Sequence, residues 1–510
     1  MAGSSGIVLF CLAVLYCLNI AVSENPGFQT RITAAGLNYA NQEAIVQLSK
    51  SVRGQKINIP PGKSGSVSYS ITDAEITKFV PPSSSSLKPI AGSGLKWSAS
   101  NIDLAMSGHF KYTFKKVIKI SDHGSFDISV SGVSFSVQAD FGMDTTGRPS
   151  IRAGPCTSDI GGVSIKFHGR WAWAYNAFRG QLAKKIKSLL KDKMCDLISR
   201  SLNTDAEKSL SSLKITMGIG KMLELSYKLT GPPKFTSDYM ETYHKGEIDW
   251  KSAPSPPPFQ APTLPQWNDT SRMMYLWVSD FMINSLFYQA QQHNLLSYNL
   301  TAQDLPKSTR GVLNTTCTSS LCIGNFIPPL QQKYPNCQIE LRMKSTKMPL
   351  ISVVNGSIET KMAGLIALYV RPVKTSSTLY FKPRRTENEL GSRLESNTRT
   401  SADYVLTMDA NMTLTGQISV VEQVMHYKVT NMTITVSLRN STIPNITEKA
   451  LNFLIKYAVE KFIQPSIDDL GKKGILLPLG KVSLKNAKLV LLKDAFIIAT
   501  DLVYHPDNEY

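Results

Sequence analysis

Residues 252–267 read SAPSPPPFQAPTLPQW and divide the chain into two nearly equal parts. Proline fixes φ and lacks the amide hydrogen that helices and inner strands need, so this segment is predicted to be an extended, semi-rigid linker. The full length of 510 residues permits two to four domains at roughly 150 residues each. We therefore predict an N-terminal domain at 24–251, the linker at 252–267 and a C-terminal domain at 268–510.

The same order of sequence patterns occurs on either side of the linker. Apolar residues at three- and four-residue steps predict an opening helix at 37–52 and a long helix at 171–198, with alternating strand patterns between them. In the second part a helix is predicted at 274–288, strands at 406–438 and a late helix at 446–470. The chain is therefore predicted to form two antiparallel, helix-wrapping modules in tandem.

The apolar stripes also predict which residues face the core. A change of alternation after Gly132 predicts a β-bulge there. The predicted inner faces are Leu37, Ala40, Ala44, Ile45, Leu48 and Val52 for the first helix; Trp171, Tyr175, Phe178, Leu182, Ile186, Leu189, Leu197 and Ile198 for the long helix; Met274, Trp277, Val278, Phe281, Leu286 and Tyr288 for the third; and Ala450, Phe453, Leu454, Tyr457, Ala458 and Phe462 for the last.

The composition is that of a globular protein with a large excess of positive charge. Hydrophobic residues make up 42%, charged residues 18%, and the net charge is +18. These values exclude a collagen, a coiled-coil rod and a multi-span membrane protein, and the charge favours an anionic partner. Zinc-finger spacing and an RNP-like aromatic strand are absent from the sequence, so nucleic acid is not a predicted partner.

Sequence motifs for catalysis, metals or cofactors are also absent. The chain contains no HExxH, G-x-S-x-G or P-loop, and its seven histidines do not fall at metal-ligand spacing. We therefore predict a non-enzymatic protein without metal or cofactor. A hydrolase whose site assembles only in space is the alternative, because catalytic triads are defined by geometry rather than by sequence order.

The N-terminus predicts export from the cell. Residues 7–18 form an apolar run that is too short to span a bilayer. Ala21 and Ser23 place small residues at the positions that a signal peptidase requires before Glu24. Residues 1–23 are therefore predicted to be a signal peptide, and the mature protein is predicted to be secreted and extracellular. Storage in granules before release is left open.

Eight N-x-[ST] sequons all lie after residue 267. Glycans on the second half alone would leave the first half clear for contact, although chance in an Asn- and Thr-rich region is an equal alternative. The predicted glycosylation sites are Asn268, Asn299, Asn314, Asn355, Asn411, Asn431, Asn440 and Asn445.

Five cysteines follow the predicted signal peptide, and outside the cell they are expected to be mostly oxidised. Cys156 and Cys195 are the only two in the first half and are predicted to pair. The second half has Cys317, Cys322 and Cys337, so one thiol there is left without an internal partner.

Residues 110–120, FKYTFKKVIKI, predict a cationic surface. On a strand, Lys111, Lys115 and Lys119 face one way, while the other face is apolar apart from Lys116. Such a face could meet clustered phosphates; solvated lysine on the wet side of a half-buried sheet is the alternative. A second basic cluster at 179–193 is predicted to be the solvated side of the long helix.

Short motifs dispersed over the whole chain carry a resemblance to a known family. They are NPGF at 25–28, GLNYA at 36–40, the basic strand at 110–119 with FDIS at 126–129, the Cys156 and Cys195 pair, HKGE at 244–247 before the linker, RMMYL at 272–276, KGILLP at 473–478 and DLVY at 501–504. Together they resemble the bactericidal/permeability-increasing protein and lipopolysaccharide-binding protein family.

The resemblance implies an α+β fold of two tandem elongated barrels, each a highly twisted antiparallel β-sheet around a long helix, joined by a central sheet in a boomerang shape. It implies an apolar pocket in each barrel for the acyl chains of a phospholipid such as phosphatidylcholine. It also implies a basic tip that binds the lipid A phosphates of bacterial lipopolysaccharide. Carried onto this sequence, that tip is Lys115, Lys116 and Lys119, with Lys96 and Lys111 as further candidates.

The function implied by the resemblance is that of a secreted innate-immune protein, antibacterial or endotoxin-neutralising, acting on lipopolysaccharide at the bacterial outer membrane surface. The alternative is a phospholipid carrier or transfer protein without preference for lipopolysaccharide. The sequence ends soon after Tyr504 without an amphipathic helix of the kind that the cholesteryl-ester carrier uses, and this favours the first reading.

Overall fold

The computed structural model describes residues 25–57, 60–64, 66–115, 119–169, 179–317, 322–373, 402–477 and 481–505. The predicted signal peptide and the aromatic start of the predicted long helix, Trp171, Tyr175 and Phe178, lie outside these ranges. In the part of the chain that is described, no helix combines the length and apolar character needed to cross a membrane.

The strands are β1 (Phe28–Thr33), β2 (Gly62–Ser64), β3 (Val67–Val80), β4 (Ser84–Ile90), β5 (Gly94–Lys115), β6 (Lys119–Met143), β7 (Pro149–His168), β8 (Thr216–Ile219), β9 (Leu223–Ser226), β10 (Lys234–Phe235), β11 (Tyr239–His244), β12 (Glu247–Trp250), β13 (Met274–Ser279), β14 (Ser297–Leu300), β15 (Cys337–Val354), β16 (Ser357–Pro372), β17 (Asp403–Val421), β18 (Val424–Ser441), β19 (Ile475–Leu476), β20 (Val482–Leu492) and β21 (Ala495–Tyr504).

The α-helices are α1 (Ala34–Val52), α2 (Arg179–Ser201), α3 (Glu207–Ser211), α4 (Asp280–Gln292), α5 (Ile323–Phe326), α6 (Pro328–Lys333), α7 (Glu448–Ala458) and α8 (Gln464–Lys473). A π-helical turn, Leu202–Ala206, joins α2 to α3, and a second, Val459–Ile463, joins α7 to α8. The late helix of each half therefore carries the same interruption. Short 3-10 turns occur at Ala302–Asp304 and Arg310–Leu313.

Each half contributes one long antiparallel sheet that packs around its late helix. The N-terminal sheet has the order β2-β3-β5-β6-β7, with β4 also paired to β5, and α2 packs on β7. The C-terminal sheet has the order β14-β15-β16-β17-β18-β19, and α7 and α8 pack on β18. A small sheet, β12-β9-β8, lies in the N-terminal half. The predicted architecture of two helix-wrapping modules is confirmed.

A six-stranded central sheet joins the two halves, in the order β10-β11-β1-β13-β21-β20. Its first three strands precede the linker and its last three follow it, and every pairing is antiparallel. β1 leads directly into α1, and β13 leads directly into α4. The two halves of the chain therefore begin with the same strand-helix unit, and these units meet at the middle of the sheet.

The helix predicted at 274–288 is wrong in its first part. Residues 274–279 form β13, and the helix begins only at Asp280. Met274, Tyr275, Leu276 and Trp277 are all buried, because this strand is covered on both faces. A continuous apolar run of this kind does not show by its periodicity whether it is a strand or a helix.

The predicted bulge at Gly132 is present, and it keeps one face of β6 in the core. Gly132 has φ +63°, and the β5–β6 register shifts beside it. As a result the two sets of predicted apolar residues all point inward: Phe126, Ile128, Val130, Val133, Phe135 and Val137 are buried. A bulge residue in the left-handed region is conformationally easiest for glycine.

Several predicted inner-face residues are exposed instead. Ala40 and Ala44 lie on the outer side of α1, where Leu37 and Asn41 are buried. Leu197 is 62% exposed on α2, and the side chains that pack on the sheet include Leu190 and Met194. Phe453 is 58% exposed on α7, where Leu451, Leu454 and Ile455 are buried. Apolar residues also occur singly at exposed positions of folded proteins, so an apolar residue at helical spacing does not by itself mark the buried face.

The disulfide between Cys156 and Cys195 ties β7 to α2, with a Cα–Cα distance of 5.7 Å. It is the pair expected from the sequence. A second disulfide joins Cys317 to Cys322 in the C-terminal half, which leaves Cys337 as a free thiol. Burial, with a smaller contribution from Asp403, raises the pKa of that thiol, so its reactive thiolate form is disfavoured.

The proline-rich linker has no helix or strand, as predicted, but it is packed onto the protein and is not a free spacer. Ala261 and Leu264 are buried. The indole Nε1 of Trp277 donates to the Pro265 carbonyl oxygen at 3.1 Å, and the Phe259 ring packs edge-on against Phe281. The linker therefore covers one face of the central sheet and its flanking helix.

Arg31 lies at the centre of this assembly and is only 6% exposed. Its guanidinium contacts the Glu241 carboxylate on β11 at 2.7 Å and donates to the Trp267 carbonyl oxygen at 2.6 Å. It also lies over the rings of Tyr239, at 4.1 Å, and Trp277, at 4.9 Å. One side chain therefore connects strands of both halves to the end of the linker.

Replacement of Arg31 by Met is expected to lower the free energy of unfolding by about 3–5 kcal/mol, because it leaves the Glu241 carboxylate buried without its counter-charge. The double variant Arg31→Met/Glu241→Gln should regain part of this loss. Chemical denaturation of both variants measures the difference. A loss below about 1 kcal/mol in the single variant would show that Arg31 does not hold the sheet together.

The stability of the fold is expected to depend on pH through Asp280. Burial, with repulsion from Asp494, raises the pKa of this carboxyl to about 6. The folded state therefore binds the proton more tightly than the unfolded chain, and the free energy of unfolding falls as pH rises from about 4 to 6.

Asp280→Asn removes this cost and should raise the free energy of unfolding by about 2 kcal/mol near neutral pH, but change it little near pH 4. Urea denaturation at both pH values measures this difference. Asp192→Asn, at an exposed site on α2, is the matched control. An equal effect of Asp280→Asn at the two pH values would contradict the assignment.

Candidate functional site

The ends of β5 and β6 form a hairpin with a cationic outer face, which we term the lysine hairpin (residues 109–115 and 119–125). Lys111 and Lys115 are exposed on β5, and their strand neighbours Phe110 and Tyr112 belong to the core side. The Phe110 ring packs edge-on against Phe167, with ring centres 5.0 Å apart. An apolar inner face therefore supports a charged outer one.

The single strand predicted across 110–120 is wrong, because the chain reverses direction within it. Lys115 lies directly opposite Lys119 in the register, and Lys111 lies opposite His123. Thr113 Oγ1 and Ser121 Oγ are 3.1 Å apart, which shows that opposite positions share the outer face. Lys116 lies outside the described residues. The reversal brings cationic positions from two strands to one end of the barrel.

Lys63 belongs to the same surface and was missed by the sequence analysis. It is exposed on the short strand β2, opposite Ser68, which in turn lies opposite Thr113. Within the described part of the chain, Lys63, Lys111 and Lys115 have no ion-pair partner, whereas His109 lies 3.7 Å from Asp73. The glycines around residues 62–65 are the sequence signal that could have revealed a hairpin here.

Lys96 does not join this cluster. It lies near the start of β5, where its neighbours in the register are Lys88 and Gln138. Fifteen strand positions separate it from Lys111, which is about 50 Å along β5. Among the predicted lysines that the structure describes, Lys96 therefore lies apart from Lys111, Lys115 and Lys119.

The basic cluster on the long helix behaves as a solvated helix face. Lys191 lies 3.4 Å from Asp159, and Lys193 lies 3.7 Å from Asp196. Lys187 donates to the Gly161 carbonyl oxygen at 2.9 Å. These side chains bridge the helix to the neighbouring sheet or to each other, as expected for lysine beside a buried stripe.

An apolar groove opens in the C-terminal barrel, between the inner face of its sheet and helix α7. Its volume is about 460 Å³, within the range of ligand pockets. The sheet contributes Leu341, Met343, Met362, Ile366, Ala410, Met412 and Ile434, and the helical side contributes Ile455, Ala458, Val459 and Ile463. A smaller cavity, of about 50 Å³ and entirely apolar, shares Leu300 and Ile455 with it and extends toward Leu313.

The rim of the apolar groove is polar. Lys344 is exposed there, and Ser297 lies opposite it in the β14–β15 register. Tyr298, 54% exposed, lies at the same rim. The arrangement presents an apolar interior with one cation and hydroxyl groups at the entrance, which is the chemistry of a site for an amphipathic molecule with an anionic head. The sequence analysis did not find these rim residues, because β14 is far from β15 along the chain.

The predicted glycosylation sites are accessible for the most part. Seven of the eight sequon asparagines are exposed; Asn314 is partly buried, and its side-chain oxygen accepts from Gln338 at 3.1 Å. On β17, Asn411 alternates with Ala410 and Met412, which line the apolar groove, so Asn411 lies on the outer face of the sheet. Glycans at such positions would not block the groove.

Comparison with known proteins identifies the class. Models of the LBP / BPI / CETP family match this chain over residues 36–213, for the N-terminal domain, and over residues 218–504, for the C-terminal domain. The chain belongs to this family. Its members are lipid-binding proteins and not enzymes, so the prediction of a non-enzymatic lipid-binding protein is confirmed.

Individual relatives agree with this assignment. A bactericidal permeability-increasing protein from Sebastes schlegelii is 27% identical over 98% of this chain and 100% of its own length. The human lipopolysaccharide-binding protein is 27% identical over 95% of both chains, and a mouse phospholipid transfer protein is 22% identical over 72% of both. A crystal structure of lipopolysaccharide binding protein shares the fold, with a TM-score of 0.56 at 23% identity over 94% of this chain and 99% of that one.

Proposed function

We propose that this protein is a secreted, glycosylated innate-immune protein that binds lipid A of bacterial lipopolysaccharide at the lysine hairpin and holds phospholipid acyl chains in the apolar groove. Its role is antibacterial or endotoxin-neutralising, at the outer membrane surface of bacteria. The names of two full-length relatives, which bind lipopolysaccharide or increase bacterial permeability, support this proposal.

The observation that carries the proposal is the lysine hairpin itself. Lys63 lies on β2, and Lys111 and Lys115 lie on β5; all three are exposed and have no ion-pair partner among the described residues. Lysine is a compact point charge that suits phosphate groups, and several lysines on one face attract a ligand with more than one phosphate. A sheet face that is merely solvated does not require several unpaired lysines close together at the end of the barrel.

The apolar groove supplies the second half of the mechanism. Each buried methylene contributes about 0.8 kcal/mol, so an acyl chain gains most of its affinity from the groove. Lys344 at the rim is placed to contact the phosphate of the same lipid. A corresponding pocket in the N-terminal barrel stays a prediction.

The double variant Lys111→Glu/Lys115→Glu tests the hairpin. It should weaken binding to lipopolysaccharide by roughly tenfold or more at low salt and reduce the dependence of binding on salt, because charge pairs at an exposed surface are screened. Titration of lipopolysaccharide against the purified protein measures the affinity.

Lys307→Glu/Lys347→Glu is the matched control, because it makes the same change in net charge at exposed sites of the other half. Equal affinities of the hairpin variant and the unmodified protein would contradict the assignment. Equal losses in the hairpin variant and the control would show that net charge alone decides binding.

Ala458→Phe tests the apolar groove, because it places a ring in the space between α7 and the sheet. The variant should retain much less phospholipid than the unmodified protein, since the space for an acyl chain is lost. Mass spectrometry of the purified protein under native conditions counts the bound lipid. Ala44→Phe, at an exposed position of α1, is the control. Full lipid content in Ala458→Phe would remove the groove from the proposal.

The second candidate function is a phospholipid carrier without preference for lipopolysaccharide. It is favoured by the position of the apolar groove, which shares no residue with the lysine hairpin. A carrier would move phosphatidylcholine between neutral vesicles at equal rates in low and high salt. It would also be unaffected by Lys111→Glu/Lys115→Glu, whereas the first proposal requires loss of lipopolysaccharide binding in that variant.

A further inference from the structure

A second cationic cavity lies at the other end of the N-terminal barrel from the lysine hairpin. We term it the basal groove; its volume is about 950 Å³. Four segments surround it: the β6–β7 turn at 143–148, residues 214–216, residues 228–230 and Lys245. It shares no residue with the lysine hairpin or with the apolar groove. Along β6, the hairpin and the basal groove are about 80 Å apart.

The turn that forms one wall is held in a fixed conformation. The Asp144 carboxylate accepts from the backbone nitrogens of Thr146, at 2.8 Å, and Arg148, at 2.9 Å. These hydrogen bonds hold the pKa of Asp144 below its ordinary value, and the bond from the Arg148 backbone nitrogen contributes most. The backbone nitrogen of Leu229 donates to the Gly147 carbonyl oxygen at 2.9 Å, which fastens the turn to the opposite segment. The one acidic group that lines the groove is thereby already engaged by the turn.

The basic groups of the basal groove are less engaged. Lys214 and Lys228 are exposed, and neither has an ion-pair partner within the described ranges. Arg148 donates from Nη1 to the Thr146 hydroxyl at 2.6 Å, which is a neutral partner, and Lys245 lies 2.7 Å from the Glu247 carboxylate. The groove therefore contains two lysines with no ion-pair partner in the described structure, Lys214 and Lys228, beside an arginine whose charge acts on the nearby Asp144 carboxylate.

Hydroxyl groups line the rest of the basal groove. Thr145, Thr146, Thr216 and Thr230 each bring a side chain that can donate and accept hydrogen bonds. Cations recognise phosphate, and neutral hydroxyls match the hydroxyl groups of a sugar ring. The volume exceeds what a single phosphate ion would need.

We propose that the basal groove is a binding site for a phosphorylated saccharide, with Lys214, Lys228 and Arg148 contacting phosphate and the threonine hydroxyls contacting the sugar. The site acts independently of lipid A binding, because its distance from the lysine hairpin prevents one lipid head from occupying both. The protein therefore has two anion-binding sites at opposite ends of one barrel.

Isothermal titration of the full-length protein with glucose bisphosphate, at low salt, tests this proposal. The unmodified protein should bind the bisphosphate, bind inorganic phosphate more weakly and show no binding of glucose. Lys214→Glu/Lys228→Glu should weaken bisphosphate binding by roughly tenfold or more, because both substitutions reverse a phosphate-contacting charge. Lys307→Glu/Lys347→Glu, at exposed sites of the C-terminal half, makes the same change in net charge, is the matched control and should leave bisphosphate binding unchanged.

Three results would overturn the proposal: no binding of the bisphosphate, equal affinity in Lys214→Glu/Lys228→Glu, or equal affinity for inorganic phosphate and the bisphosphate. Binding to vesicles that contain an anionic phospholipid distinguishes a lipid headgroup from a free sugar phosphate as the ligand of the groove. If the basal variant lost vesicle binding but kept bisphosphate binding, the groove would be a lipid headgroup site. Loss of lipopolysaccharide binding in the hairpin variant alone leaves this proposal standing. Circular dichroism of the variants and the single change Lys228→Ala guard against misfolding as the cause.

Discussion

The guanidinium of Arg31 is the interaction on which the arrangement of the two halves depends. A buried charge is tolerated only when it is paired and hydrogen-bonded, and the groups that satisfy Arg31 come from three different parts of the chain. Glu241 belongs to the N-terminal half, Trp277 to the C-terminal half and the Trp267 carbonyl to the linker. The side chain can be satisfied only when all three are in place. It therefore selects one way of closing the central sheet and fixes the linker against it.

From that fixed centre the two barrels present different chemistry. The N-terminal barrel places lysines at its far end and a second set of cations at its base, whereas the C-terminal barrel has an apolar groove with a polar rim. Under the proposed function, anionic heads and acyl chains would be recognised by separate surfaces. The charged surfaces would mainly set the rate and selectivity of encounter, and the apolar groove would set the time for which a lipid is held.

The sequence predicted those features that depend on local pattern. The linker, the helix-wrapping modules, the bulge at Gly132 and the candidate cysteine pair all follow from short-range spacing. It failed where long-range pairing decides the outcome. Met274–Ser279 was predicted as helix because the strands that pair with it, β1 and β21, are distant along the chain and cannot be inferred from the local pattern. Lys63 and the walls of the basal groove come together only through the register of distant strands. The sequence does not show that residues 94–115 form one continuous strand. The distance between Lys96 and Lys111 could therefore not be predicted.

The meeting of β1 and β13 at the middle of the central sheet has a consequence for how such a chain can arise. β1 and β13 pair antiparallel, and each lies at the inner edge of its own three-stranded set. A half-length chain would expose that edge, and an exposed edge strand pairs with another strand. Two copies of the same half could therefore pair β1 with β1 about a two-fold axis and rebuild a six-stranded sheet. The present protein has the topology expected if the two subunits of an ancestral homodimer became joined in one chain. The proline-rich linker would then be the segment that connects the two former subunits.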